Sequence, residues 1–342
     1  MIVLISSIII CSVVIGKKID PEKLMELLFY FGLIVAVFVV FDAITHVFSK
    51  SLMGIYIESA QQIRRRSPSS SLGLFVATGH TAGFLVCGFG AFLFMKKRQS
   101  YLLIFKILIV ALYATAFFYT RKRGFAVDLI VIAIVFLYIG LVVKYKKNSA
   151  RLPVRYILIP IGIILLFVVL YFTVPVFRES LYLFALRFVT EDSTGSGRLQ
   201  LYQLAFRYFR QHPLQGIGWG NYRALTEGLF YNGTKMETHN VYIQLACETG
   251  IFGALAFVFA AFAVLFRTIK KYRTSLLEGR SVQTRLYGFS LFQQMLFLTY
   301  AFTGNPLYDY NFLVIYFLGI AFIGFKAEAE SASVDLQRSM AE

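Results

Sequence analysis

Residues 195–257 read GSGRLQLYQLAFRYFRQHPLQGIGWGNYRALTEGLFYNGTKMETHNVYIQLACETGIFGALAF. The stretch is polar over most of its length and carries Arg198, Arg207, Arg210, His212 and His239. On both sides the chain is strongly apolar. A polar connection of about sixty residues between apolar spans is seldom mere linker, because long connections in folded chains are usually functional.

Outward from that stretch, the 342 residues are 58% hydrophobic and only 15% charged, far from the balance of a soluble domain. Apolar runs near 1–16, 26–48, 72–95, 100–120, 124–143, 155–177, 241–266, 286–304 and 309–325 suit helices crossing a hydrocarbon layer about 30 Å thick. The expected fold is an all-α polytopic membrane protein with about nine transmembrane helices and one long loop containing short amphipathic helices. Met1 lacks a basic flank and Lys17 and Lys18 follow the first run, so that run reads as a span and not as a signal peptide. The expected organisation is an N-terminal membrane region over 1–177, a loop over 178–240, a C-terminal membrane region over 241–325 and a tail over 326–342.

The three cysteines, Cys11, Cys87 and Cys247, each lie inside an apolar run without metal-ligand spacing, and no metal site is expected. A net charge of +16 would raise nucleic acid as a partner in a soluble protein. Here the basic residues flank spans, where they signal orientation, so membrane lipid and not nucleic acid is the expected contact. Lys and Arg lean modestly to one set of segments, which places the long loop outward and the tail on the cytoplasmic side. The outward side still holds Arg64, Arg65, Arg66, Arg121, Lys122 and Arg123, enough to suggest an anionic partner there.

Within the loop, a helix is expected from Arg198 to Pro213, with Ser196 and Gly197 as cap and turn. Gln200, Gln203, Arg207 and Arg210 share one face and Leu201, Leu204, Ala205 and Tyr208 another, which suits a helix lying on the membrane with its apolar side down. Gly216-Ile217-Gly218-Trp219-Gly220 lacks the strand and spacing of a nucleotide-binding turn and reads as a tight turn anchored by Trp219. Asn232-Gly233-Thr234 matches a glycosylation acceptor by a pattern too short to carry weight.

Asn240, Gln244 and Glu248 recur every four residues and form a polar stripe on the next helix, at whose mouth stands His239. A carboxylate two turns into an apolar helix faces a wet cavity or a partner, because lipid exposure is costly. A helix N-terminus favours the neutral imidazole, which can accept a proton from a hydroxyl. Elsewhere, Asp128 is expected to pair with Arg121 or another arginine at its end of the membrane, Lys106 to snorkel, and His80, Asp42 and His46 to be structural. Asn305 and Asp309, in a short outer turn, are expected to close the cavity from the other side.

Ser196-Gly197-Arg198, the turn His212-Pro213-Leu214-Gln215-Gly216-Ile217-Gly218-Trp219-Gly220, and His239-Asn240 followed by Tyr242, Glu248-Thr249-Gly250 and Gly253 resemble the O-antigen ligase and polymerase superfamily. The likeness is close over about 65 residues and extends in layout over 70–325. It implies a GT-C-like bundle, an active site on the periplasmic or extracellular side of the bacterial inner membrane, and no cofactor. It also implies that Arg198, Arg123 and His239 are catalytic. Arg123 resembles the arginine of a Thr-x-Ser-Arg-Gly pattern, but Lys122 replaces the serine and Arg121 is the alternative equivalent. Arg121, Arg207, Arg210, Asn240 and Glu248 are the expected substrate-binding residues.

Residues and resemblance together imply transfer of a glycan from an undecaprenyl-diphosphate-linked donor to a hydroxyl of a glycan or lipid-linked acceptor, in cell-surface polysaccharide assembly. A repeat-unit polymerase and an O-antigen ligase need the same donor chemistry. A transporter or flippase of lipid-linked anions is the rival from another class. It should show internal repeats or polar groups at mid-membrane, whereas here the polar residues gather at one face.

Overall fold

The computed structural model describes residues 20–45, 78–96, 101–120, 122–147, 172–173, 198–227 and 235–324. The expected spans at 1–16 and, apart from Phe172 and Thr173, at 155–177 lie outside these residues, as do Arg121, the Arg123 side chain, His46, Ser196, Gly197, the 232–234 pattern and the tail.

Among the described residues the regular structure is helical. In chain order the helices are α1 (Pro21–Thr45), α2 (Thr78–Phe94), α3 (Leu103–Thr120), α4 (Arg123–Lys147), α5 (Arg198–Gln211), α6 (Tyr222–Leu225), α7 (Val241–Glu278), α8 (Ser281–Tyr300) and α9 (Tyr310–Ala321), with a 3-10 turn at Phe322–Gly324. Four of them are long and apolar enough to cross a membrane, namely α1, α3, α4 and α7; α2 and α9 are shorter apolar helices. Their outer faces stay apolar. Leu27, Ile34 and Ile44 of α1, Leu103 and Leu108 of α3, and Ile130, Ile134 and Leu137 of α4 are exposed. Helices apolar on all sides belong in a hydrocarbon solvent, since each satisfies its own backbone groups.

The chain divides into two compact units, one formed by residues 1–133 and 258–342 and the other by residues 134–257. The core of the first gathers Phe29, Val35 and Val39 of α1, Leu85 and Phe92 of α2, Tyr113 and Ala116 of α3, Leu286 and Phe289 of α8, and Leu318 and Phe322 near the end of α9. Small residues set how closely these helices approach, as expected where lipid supplies no hydrophobic drive for association. A Cβ on Gly32 would lie 2.8 Å from the Cα of Gly88. The Tyr113 hydroxyl fills the remaining space and donates to the Phe29 carbonyl at 3.1 Å. Elsewhere glycines receive rings: Phe312 sits over Gly83, Phe292 over Gly90 and Phe94 over Gly288.

Polar side chains in this unit pair internally. The Gln294 amide donates to Thr268 at 2.8 Å and to Ser290 at 3.0 Å, tying α8 to the later part of α7. Arg285 forms an ion pair with Glu22. His80 at the start of α2 meets Asp309 at 2.5 Å, and Asp309 also caps α9 by accepting from the Asn311 N–H at 3.0 Å. That contact gives His80 the structural part expected of it. At the start of α4, Phe125 stacks on Tyr300 with centroids 4.4 Å apart, and Gly124 abuts the Thr303 hydroxyl. Asp128 is buried and faces Thr299 of α8. Among the described residues it has no arginine partner.

Because α1, α2 and α3 meet through Gly88, the substitution Gly88→Val should destabilise the bundle by roughly 1–3 kcal/mol through overpacking. The expected outcome is a lower melting temperature in detergent micelles, with Gly140→Val, where nothing lies within 4 Å of an added Cβ, as the near-neutral control.

Candidate functional site

The second unit is built around a break in α7. At Gly250 the backbone leaves helical geometry, with φ 69° and ψ −175°. A break of this kind removes helical hydrogen bonds, and inside a protein the freed groups must find other partners. They find them in the turn after α5. The Ile251 N–H donates to the Pro213 carbonyl at 2.8 Å, the Cys247 carbonyl accepts from the Ile217 N–H at 3.0 Å, and the Glu248 carbonyl accepts from the Gly218 N–H at 2.8 Å.

Two glycines make this approach feasible. Gly216 and Gly250 both have positive φ, and a Cβ on either would lie 2.3 Å or 2.1 Å from the carbonyl oxygen of Glu248 or Leu214 respectively. The sequence marks both sides of this contact, at His212-Pro213-Leu214-Gln215-Gly216 and Glu248-Thr249-Gly250. The turn over 216–220 is as expected, with φ positive at Gly216, Gly218 and Gly220.

The Glu248 side chain fixes the next segment. It is fully buried, and its carboxylate accepts from the Gly220 N–H at 2.8 Å, the Tyr222 N–H at 3.1 Å and the Gln244 amide at 3.2 Å. The buried Tyr222 hydroxyl donates to the Leu201 carbonyl of α5 at 2.7 Å, and burial pushes its pKa above the ordinary tyrosine range. The expected stripe Asn240, Gln244, Glu248 is thus a hydrogen-bonded ladder. Gln244 also accepts from the Thr238 N–H at 3.1 Å.

His239 sits at the head of this ladder. Thr238 donates to the Asn240 carbonyl at 2.7 Å and accepts from the Asn240 N–H at 3.1 Å. Asn240 caps α7 by accepting from the Ile243 N–H at 3.1 Å. Between these residues His239 takes φ 57°, and among the described residues no other non-glycine has positive φ. Such a conformation costs energy and persists only where its surroundings over-determine it. The imidazole lies one residue before the cap of α7, with Nε2 shielded from solvent.

α5 begins at Arg198, which is half-buried, while Arg207 and Arg210 are exposed further along the helix. Its apolar face was expected to lie on lipid. Instead Leu201 and Ala205 are buried against Tyr222 and Cys247, with Leu204, Tyr208, Ile217, Met236 and Ile243 around them. Intramolecular burial wins because Tyr222 and the first turns of α7 offer a matching apolar surface. Arg198, Arg207, Arg210, His239, Asn240 and Glu248 therefore belong to one unit, whereas the backbone of Arg123 opens α4 in the other. Among the described residues, no three His, Cys, Asp or Glu side chains gather as a metal site.

Sequence reasoning missed Tyr222 and Thr238 as positioning residues and the break at Gly250 as their frame. The available signal was an isolated glycine in a helical pattern, which marks a packing or functional constraint. Gly250→Ala should abolish stable expression or lower the melting temperature sharply, whereas Tyr222→Phe should cost about 1 kcal/mol, the worth of one hydrogen bond. Glu248→Ala should be more damaging than Tyr222→Phe, at about 1–3 kcal/mol for each buried N–H left without an acceptor. Thermal unfolding of the three purified variants checks this ranking.

Residues 108–258 match a family model described as O-antigen ligase, so the break, the ladder, Arg121, Arg123, Arg198, Arg207, Arg210 and His239 fall inside the matched stretch. No curated protein matches the chain. The family match and the apolar helices make this a multi-pass membrane protein, and over residues 108–258 the chain is similar to the O-antigen ligase family.

Proposed function

We propose that the chain is a membrane glycosyltransferase that moves a glycan from undecaprenyl diphosphate to an acceptor hydroxyl on the outer side of the bacterial inner membrane. The observation that carries this reading is the left-handed backbone at His239, held from both sides by Thr238 and Asn240 within the stretch that matches the family. A fold that maintains such strain keeps one imidazole in one place.

In the proposed reaction His239 accepts the proton of the acceptor hydroxyl. The hydroxyl oxygen forms a bond to the anomeric carbon, and the bond from that carbon to the diphosphate oxygen breaks. Undecaprenyl diphosphate leaves with the bonding electrons. Arg198 and Arg123 contact the diphosphate and stabilise the charge that develops on it, since a guanidinium offers planar two-point contact to phosphate. Arg121, Arg207 and Arg210 extend the anion-binding surface. Asn240 and Glu248, expected as substrate-binding residues, act in this reading as positioning residues, because their side chains are engaged in fixing the backbone that presents His239. The donor is already activated, so the chemistry requires no nucleotide.

The test restores a deletion strain with the wild type, His239→Asn or Arg198→Lys and examines envelope glycans by gel and lipid-linked intermediates by mass analysis. Asparagine tolerates the left-handed backbone but is no base, so His239→Asn should fold and lose activity by roughly 10²–10⁴-fold. Arg198→Lys should also lower turnover strongly, because an ammonium lacks the planar fork. Accumulation of single lipid-linked repeat units would identify a polymerase, and accumulation of long lipid-linked chains a ligase. Wild-type output from the well-folded His239→Asn protein would remove His239 from the mechanism.

A further inference from the structure

The turn between α7 and α8 borders a half-open cavity of about 400 Å³ that the proposed reaction does not use. Its walls include Arg267, Lys270 and Lys271 from the end of α7, and Arg280 and Gln283 from the start of α8. Basic residues at the end of a span ordinarily do no more than mark orientation. Here they line one cavity together with the start of α8.

The convergence follows from the turn. Gly279 takes φ 72°, and the Arg280 N–H returns to the Ser275 carbonyl at 3.0 Å, closing α7 and reversing the chain within two residues. The N-terminal end of α8 is thereby brought to the same cavity. Its cap position is Arg280, which supplies no side-chain cap, so the first-turn N–H groups and the helix dipole favour an anion there. Glu278 is the acidic residue of the wall, and it is engaged by Arg280 at 2.8 Å. Lys271 is held in place, donating to the Ile323 carbonyl at 2.8 Å with its ammonium 5.4 Å from the Tyr287 ring centroid. Arg267 and Lys270 make no ion pair among the described residues. Gln283 is only 7% exposed, and its Oε1 has no hydrogen-bond partner among the described residues. A protonated phosphate oxygen would satisfy it, and the amide turned over would donate instead.

We propose that this cavity binds a phosphate-bearing anion, with Arg267 and Lys270 as its principal charge contacts. Two sources share that chemistry, the headgroup of an anionic phospholipid and a soluble phosphate compound. The site is independent of the proposed glycosyl transfer.

The test uses the full chain in nanodiscs of phosphatidylcholine alone, of phosphatidylcholine with phosphatidylglycerol, and of phosphatidylcholine with inorganic phosphate added. Retained lipid is counted by native mass spectrometry, and thermal stability is followed in parallel. Wild type should retain phosphatidylglycerol in preference to phosphatidylcholine, and the double variant Arg267→Gln, Lys270→Gln should lose that preference by about tenfold or more, since two charge-assisted contacts are removed. Both replaced residues are exposed, so the variant should melt with wild type in phosphatidylcholine discs. Stabilisation of wild type alone by inorganic phosphate, without lipid preference, would assign the site to a soluble ligand. Equal retention by both proteins, with no effect of phosphate on either, would overturn the proposal.

Discussion

The unit containing the candidate site depends on the buried carboxylate of Glu248 and the broken helix next to it. An isolated carboxylate inside a protein is costly, and three N–H donors offset that cost here. Each donor belongs to a different part of the unit: the glycine turn, the short helix α6, and Gln244 on the way to His239. The ring of main-chain bonds around Gly250 adds the turn after α5 to the same frame. One anionic group and a few backbone amides thus fix what a far larger apolar core would otherwise have to hold.

The other unit obeys a different rule. Its solvent is apolar, so close approach takes over from hydrophobic drive, through Gly32 against Gly88 and through rings seated on Gly83, Gly90 and Gly288. Buried polar groups serve as cross-links between helices, as with Gln294 to Thr268 and Tyr113 to the Phe29 carbonyl. The pairing of His80 with Asp309 joins the start of α2 to the cap of α9 in the same manner.

Apolar helices were legible because a run of apolar residues has few other uses. Helices α1, α3, α4 and α7 to α9 lie within about five residues of the expected ranges except at the far end of α7, and of these α1, α3, α4 and α7 are long and apolar enough to cross a membrane. Helix α7 continues to Glu278 because charged residues beyond the apolar run extend it without breaking its hydrogen bonds. The polar stripe Asn240, Gln244, Glu248 was also legible, since periodicity alone puts those residues on one face. Its meaning was not. Spacing shows that Glu248 faces away from lipid, but only folding shows that the groups it meets are the amides of Gly220 and Tyr222. The destination of α5 was hidden for the same reason. An amphipathic pattern reveals that a face will be buried, and the surface that buries it lies in a distant part of the chain.

The contact between the turn at 213–218 and the break at 247–251 is made by main-chain atoms, with side-chain demands only at the two glycines. Leu214, Gln215 and Trp219 are exposed around it. The Leu214 and Gln215 side chains can therefore be replaced while the scaffold beneath them stays as it is. A protein arranged in this way holds its turn by main-chain contacts, so the residues around that turn can change without a change of fold.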